Sequence, residues 1–351
     1  MIVLHHGPLC DYARRILEAA GVPSDKAWLT ADSLVAANLR GVDSHGVQLL
    51  PHYIRQIEAG GINPATTGEA ISRDGACAVY DARDGLGQTV AAACCDLAVD
   101  LAREHGTGVV TVRNGTHFGA CAYWGERIAA AGMIGVIMCN ATPLVAPWQG
   151  KERRLGTNPI CVAVPGPRTW LLDMATTTVA LNKIHKAALC GQDEIPAGWA
   201  MDAEGSPTTD TRTALAGLPT PLGGHKGSGL AVMAEIFSAV LSGGAMLTEV
   251  GGLRRFDQPM RIGQFFLALD VARFLPLYEF ATRMQRLRET LSSTQPAAGY
   301  DEVLIAGHPE WRNEDQRRFT GIPIEPQVWA SLEDTARKLG ITPPAGTARI
   351  E

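Results

Sequence analysis

From about residue 75 to residue 275 the chain changes rhythm. Short β-like runs at 76–80, 108–112, 134–139, 160–164, 170–173 and 264–270 alternate with helical stretches at 88–104, 120–131 and 228–241. A sequence that switches repeatedly between these two periods has to build a sheet with helices packed on it, an α/β arrangement. The flanks read differently. Residues 8–20 place Leu9, Ala13, Ile16 and Leu17 on one helical face and stop at Gly21. Ser24 can cap a second helix running to Asn38, and a third runs through Tyr53, Ile54 and Ile57 to Gly60-Gly61. Residues 277–292 and 327–339 are helix-like again, and the polar segment between them carries Pro296, Gly299 and a loop at Gly307-His308-Pro309. The expectation is a discontinuous helical domain, 1–72 with 277–351, around an α/β domain at 73–276.

Composition removes several classes of function. The 351 residues are 46% apolar and 19% charged, which suits a packed chain rather than a disordered one. A net charge of −5 with no long block of one sign gives nucleic acid nothing to bind. No apolar run approaches the ~20 residues that span a bilayer, and His5, His6 and Pro8 interrupt any secretory leader. The eight cysteines form no C-x-x-C pair and sit among small or apolar neighbours, so reduced thiols and a cytoplasmic setting are expected. Neither H-E-x-x-H nor a Cys/His cluster with zinc spacing occurs, so no metal is expected, and no G-x-S-x-G elbow marks a serine hydrolase.

Six short motifs remain. Asp84-Gly85-Leu86-Gly87-Gln88 follows a strand and opens a helix like a dinucleotide fingerprint, but Val90 stands where the third glycine belongs, and a glycine-rich helix start explains it as well. In the segment from Pro221 to Gly229, four glycines and Lys226 precede an apolar helix; this suits a phosphate or carboxylate, the alternative being a turn that lets helix and sheet approach. His117 sits between a strand and a helix, where open α/β sheets place ligands; it can move a proton or simply cap the helix. Thr157-Asn158 enters one strand and Asp173-Met174-Ala175-Thr176 leaves the next, and each taken alone reads as turn chemistry. Ser44-His45 precedes a helix that Asp43 or Ser44 can cap, with Pro51 fitting a first turn. Adjacent residues on a helix diverge by ~100°, so these two are not a nucleophile pair, but a proton donor beside a hydroxyl is open.

Taken in order, D-S-H-G-V at 43–47, P-H-Y at 51–53, G-L-G-Q at 85–88, H-F-G at 117–119, L-G-T-N-P at 155–159, D-M-A-T at 173–176, I-P-A-G-W-A-M-D at 195–202 and P-L-G-G-H-K-G at 221–227 resemble the malate/L-lactate dehydrogenase family of the sulfolactate-dehydrogenase type. The resemblance covers roughly residues 10 to 340. It implies a non-Rossmann α/β fold, with a mixed-sheet cofactor domain and a discontinuous helical domain. It also implies a homodimer that uses NAD or NADP on a C=O or C=N bond beside a carboxylate. Within it His45 matches the proton donor with Ser44 as relay, and His117 matches an acid/base in some members and a cofactor contact in others. His117, Phe118, Gly119, Ala120, Cys121, Asn140, Asp173, Met174, Ala175, His225, Lys226, Gly307, His308 and Pro309 match positions that hold the nicotinamide cofactor. Leu49, Thr157, Leu181 and Asn182 match substrate-contacting positions.

Three positions depart from the family pattern. Leu49 stands where many relatives carry an arginine that clamps a substrate carboxylate, Leu181 follows where A-R-G-K is usual, and Ala306-Gly307-His308 replaces P-G-E. Leucine for arginine removes a charge-assisted, bidentate contact and makes the pocket more apolar. The expected substrate is a small carboxylic acid other than malate or sulfolactate, a monoanion with an apolar group. Interconversion of a 2-oxo and a 2-hydroxy acid is the leading expectation. The alternatives are reduction of a cyclic imino acid and a non-catalytic metabolite-binding homologue.

Overall fold

The computed structural model describes residues 2–256, 258–344 and 348–349. Strand β1 (Ile2–Leu4) leads into α1 (His6–Ala19) and α2 (Ser24–Leu39), which pack on each other. α1 turns Leu9, Tyr12, Ala13, Ile16 and Leu17 inward, as the spacing requires. Ser24 does not cap α2: it opens the helix behind Pro23 and gives its hydroxyl proton to Glu18. Residues 43–45 and 47–49 form two 3₁₀ turns before α3 (Leu50–Glu58), whose first turn holds Pro51. Neither Asp43 nor Ser44 caps α3; Asp43 accepts from Asn38 at 2.6 Å and pairs with Arg317 at 2.7 Å.

The sheet follows. Its strands are β2 (Glu69–Asp74), β3 (Cys77–Asp81), β4 (Thr107–Gly115), β5 (Met133–Cys139), β6 (Ile160–Val164) and β7 (Trp170–Met174), with α4 (Gly87–His105) and α5 (Cys121–Ala130) between them. A smaller unit comes next: α6 (Leu181–Leu189), β8 (Ala200–Met201), β9 (Pro207–Thr208), α7 (Thr211–Ala216) and β10 (Leu218–Pro219), closed over Val179, Ile184, Ala187, Ile195 and Ala214. Helix α8 (His225–Glu235) continues as a π-turn over Ile236–Val240, and β11 (Ile262–Asp270) then returns to the large sheet.

The seven strands lie in the order β2-β3-β4-β11-β5-β6-β7. Only β3 and β4 run parallel; the other pairs are antiparallel. β11 is central, with Phe266 opposite Val110 on one side and Ile137 on the other. Its near-continuous apolar run is what a strand covered on both faces needs. This mixed α/β sheet is not the parallel Rossmann arrangement.

The chain ends meet. After α9 (Leu277–Ser292), which buries none of its side chains, come α10 (His308–Thr320), β12 (Ile322–Ile324), α11 (Pro326–Lys338) and β13 (Ala348–Arg349). β1 pairs with β12 and β13, α10 packs on α2, and α11 packs on α3. The segment expected as a polar connection therefore contains α10 and β12, with Gly307 before the helix and Pro309 in its first turn. Trp311 is its one buried residue, so no apolar stripe announced it. The boundary expected at 72/73 falls inside β2, and one hydrophobic core runs unbroken from Ile16 of α1 through Trp124 of α5 to Phe266 of β11. Among the described residues no helix is long and apolar enough to cross a membrane.

A carboxylate holds the loops at the ends of β5 and β6. Glu235 is buried at the end of α8. It accepts from Asn140 Nδ2 at 3.2 Å, from the Leu247 N–H at 2.6 Å and from Asn158 Nδ2 at 2.9 Å. Asn140 Oδ1 accepts the Gly263 N–H at 2.8 Å, and Asn158 Oδ1 accepts the Ala141 N–H at 3.0 Å. A buried carboxylate without an ion-pair partner is tolerable only when N–H groups surround it in this way. Glu235→Leu leaves two buried amides short of acceptors and should cost roughly 3 kcal/mol of unfolding free energy, read by urea denaturation. An unchanged midpoint would refute the role.

Candidate active site

Two imidazoles lie over each other where α3 meets the end of β4. The rings of His45 and His117 have centroids 5.8 Å apart and planes inclined by 24°. The 3₁₀ turn at 43–45 brings His45 there, and Ser44 Oγ hydrogen-bonds its Nδ1 at 3.0 Å. His117 is held from α3: Tyr53, buried, donates its hydroxyl to His117 Nδ1 at 2.7 Å. The Gly119 N–H points at the same nitrogen from 3.3 Å. An N–H can only donate, so Nδ1 is the acceptor and neutral His117 carries its proton on Nε2.

Electrostatics separates the two rings. Burial lowers the pKa of His45. Burial, and then the nearby imidazoles of His45 and His52, push that of His117 down to about 3. Both side chains still keep partial access to solvent. Groups surrounded by protein yet open to water are walls of a cleft.

Gly87 explains the fingerprint-like stretch. A side chain at Gly87 would overlap the carbonyls of His117 and Thr116, while Thr116 Oγ1 donates to the Gly85 carbonyl at 2.8 Å. The glycine lets the first turn of α4 press on the backbone that carries His117. This is a packing role, and it fits the absence of a Rossmann sheet.

Most segments expected at the cofactor converge around the end of β7. Asp173 accepts the Ala122 N–H at 2.8 Å, which joins the stretch Phe118, Gly119, Ala120, Cys121 to Asp173, Met174 and Ala175. The Asp173 carboxylate stays exposed although protein surrounds it. Burial raises its pKa to about 6, against the opposing pull of the Ala122 N–H and the Arg40 cation. Arg40 is itself buried at the end of α2 and pairs with Glu126. Gly307 sits against the Leu171 backbone, and Glu310 is close enough to raise the Asp173 pKa, so the loop with His308 and Pro309 joins the same edge.

Thr157 is there too, its carbonyl accepting both the N–H and the hydroxyl of Thr176 at 2.9 Å. The Leu222 N–H donates to the Thr176 carbonyl at 3.0 Å, which places Gly223, Gly224, His225 and Lys226 beside it. His225 and Lys226 are exposed at the N-terminus of α8. Gly224 has a φ of +65° and faces Trp148, whose indole a side chain there would strike.

Other expected residues lie elsewhere or are covered. Asn140 spends its amide on Glu235, Gly263 and the Ala245 carbonyl and is fully buried. Leu181 packs in the small unit, where Asn182 is exposed on α6. Leu49 is buried one helical turn before Tyr53. Tyr53, His52 and Arg40 were not assigned roles from the sequence. The P-H-Y motif was the available signal for the first two, and Arg40 had none.

A family profile for malate/L-lactate dehydrogenase matches residues 5–333. The malate dehydrogenase of Pyrococcus horikoshii is 37% identical over 342 residues, covering 95% of this chain and 94% of that protein. The L-sulfolactate dehydrogenase of Methanocaldococcus jannaschii is 38% identical over 328 residues, 93% of this chain and 94% of that one. A solved structure of the sulfolactate dehydrogenase from that organism superposes with a TM-score of 0.91 at 37% identity, covering 97% of this chain and 98% of that chain. The Δ1-piperideine-2-carboxylate reductase of Pseudomonas syringae superposes at 0.82 with 26% identity, over 95% and 99% of the two chains.

The His117 shift has a sign that can be measured. The unfolded ring binds a proton near the ordinary value of 6.5 and the folded ring only near 3, so stability is full above about 6.5 and falls as pH drops through that window. Urea unfolding at about pH 7 and about pH 5 should show a smaller loss in His117→Phe than in the parent. Equal losses would exclude a neutral, buried His117.

Proposed function

The chain belongs to the malate/L-lactate dehydrogenase family, and on that footing we propose that it interconverts a 2-oxo and a 2-hydroxy monocarboxylic acid with NAD or NADP, using His45 as the acid/base. The observation that carries this is the His45–His117 stack with its two Nδ1 partners, Ser44 and Tyr53, in a cleft.

The residues around β7 fit a nicotinamide dinucleotide. Lys226 and the N-terminus of α8 suit its phosphates, and the stretches 117–121, 173–175 and 307–309 form the adjoining wall. Bound there, the nicotinamide supplies or accepts the hydride. His45 gives the proton to the nascent alkoxide in reduction and removes it from the hydroxyl in oxidation, with Ser44 fixing the ring. His117 stays neutral, and its Nε2–H donates a hydrogen bond to the substrate oxygen. Two rings 5.8 Å apart cannot both hold a charge cheaply, and because the Gly119 N–H occupies His117 Nδ1 as a donor, the transferred proton is assigned to His45. With leucine rather than arginine at position 49, the segment before Tyr53 brings no cation for a second carboxylate, which favours a monocarboxylic substrate. A homodimer in the cytoplasm completes the reading.

The test is a screen of 2-oxo acids, 2-hydroxy acids and cyclic imino acids with both cofactors, following nicotinamide absorbance. His45→Ala should lose roughly 10²- to 10⁴-fold in kcat while still binding cofactor. Full turnover in that variant would transfer the proton step elsewhere. Malate preferred over every monocarboxylate would sink the substrate assignment, and imino acids preferred over oxo acids would favour the C=N reading.

A further inference from the structure

The proposed substrate needs a cation for its carboxylate, and position 49 does not provide one. The face of α3 that carries His52 and Tyr53 meets a second segment. The loop after residue 250 is closed at its base by the Gly251 N–H donating to the Met260 carbonyl at 2.9 Å, and Thr142 Oγ1 donates to the Gly251 carbonyl at 2.9 Å. From α3 the buried Gln56 amide donates to the carbonyls of Leu253 at 3.1 Å and Arg255 at 2.8 Å. The Arg55 guanidinium lies 3.9 Å over the Phe256 ring. A side chain at Gly61 would displace the Gln56 amide, so the turn after α3 is shaped to keep this anchor.

Arg254 is therefore fixed between two carbonyls that are both bonded to α3. Its side chain is exposed, and among the described residues it has no hydrogen bond and no ion pair. Gln56 comes one helical turn after His52 and Tyr53, so the loop that carries Arg254 is bonded to the helix whose Tyr53 holds His117, and the Arg254 charge, after burial, lowers the His52 pKa. Among the described residues His52 Nδ1 is buried without a partner.

We propose that Arg254 is the residue that anchors the substrate carboxylate, taking over from the loop the task that position 49 cannot perform on the helix. The inference rests on the 2-oxo acid reading above and deepens it. One cation supplies one carboxylate site, so the chain would take monocarboxylates and leave a second acid group uncompensated. Gln56 acts through Arg254 as a positioning residue: it fixes the backbone on both sides of the guanidinium without reaching the cleft.

The experiment uses the full-length protein with 2-oxobutanoate, the reduced cofactor that supports turnover, and the variants Arg254→Leu, Arg254→Lys and Arg254→Leu with Leu49→Arg. Arg254 is exposed, so thermal melting should be unchanged in Arg254→Leu and Arg254→Lys; Leu49 is buried, so the double variant is compared only once its melting shows it folded, and Arg254→Gln replaces the leucine variant if that one misfolds. Loss of a charge-assisted contact should raise KM roughly 10- to 100-fold in Arg254→Leu with a much smaller change in kcat. Arg254→Lys should recover part of the loss, and Leu49→Arg should restore binding from the helix. A parent enzyme that turns over 2-oxobutanoate together with an Arg254→Leu variant of unchanged KM overturns the anchor and leaves the proposed function standing. A parent that turns over no 2-oxo acid overturns the proposed function, and the anchor falls with it.

Discussion

One hydrogen bond joins the two parts of this molecule that chemistry has to bring together. Tyr53 belongs to the helices at the chain's beginning and His117 to the edge of the central sheet, and the 2.7 Å contact between them joins a fully buried hydroxyl to a partly buried ring. A buried hydroxyl or imidazole left unmade is expensive, so each group locks the other. Everything else at the site is arranged around that lock. Gly87 presses on the backbone of His117, the 3₁₀ turn at 43–45 lays His45 across its ring, and Leu49 of the next 3₁₀ turn and His52 of α3 lead into the anchoring tyrosine. The helices are therefore more than a cover for the sheet. They carry one of the two stacked histidines and the tyrosine that holds the other.

The sequence disclosed those parts whose physics is periodic. β11 reads as an unbroken apolar strand because both its faces are covered, and α1 reads as a helix because one face is. The resemblance named His45 and His117, and the structure stacks them. What stayed hidden depends on single long-range contacts. α10 was invisible because one tryptophan, rather than a stripe, ties it down. The small unit around Val179 and Ala214 has strands of two residues, too short for any period. Glu235 sits in a run of apolar helix, and only its three donors, from residues 12 to 95 positions away, show why a carboxylate is tolerated there. Asn140 was matched to the cofactor by position in the family pattern, but its amide is spent inside that network.

The electrostatic layout follows from which cations are committed. Arg40 is buried against Glu126 and tempers Asp173 from within; Arg317 is paired with Asp43 just before the histidine turn. Lys226 stands exposed at the start of α8, and Arg254 stands exposed on its pinned loop. The committed pair braces the scaffold, while the other two are free to meet anions. Their separate elements, a helix start and a loop, would keep the proposed phosphate and carboxylate contacts on different pieces of backbone.

The π-turn at Ile236–Val240 has a consequence for inheritance. It begins directly after Glu235, so the helix carries one residue more than an α-helix needs to bring both Glu235 and Ser238-Ala239 against the sheet. Deleting a residue there would return the segment to ordinary pitch and swing one of those two faces away by about 100°. Substitutions along α8 should thus be tolerated far better than any change in the length of this segment.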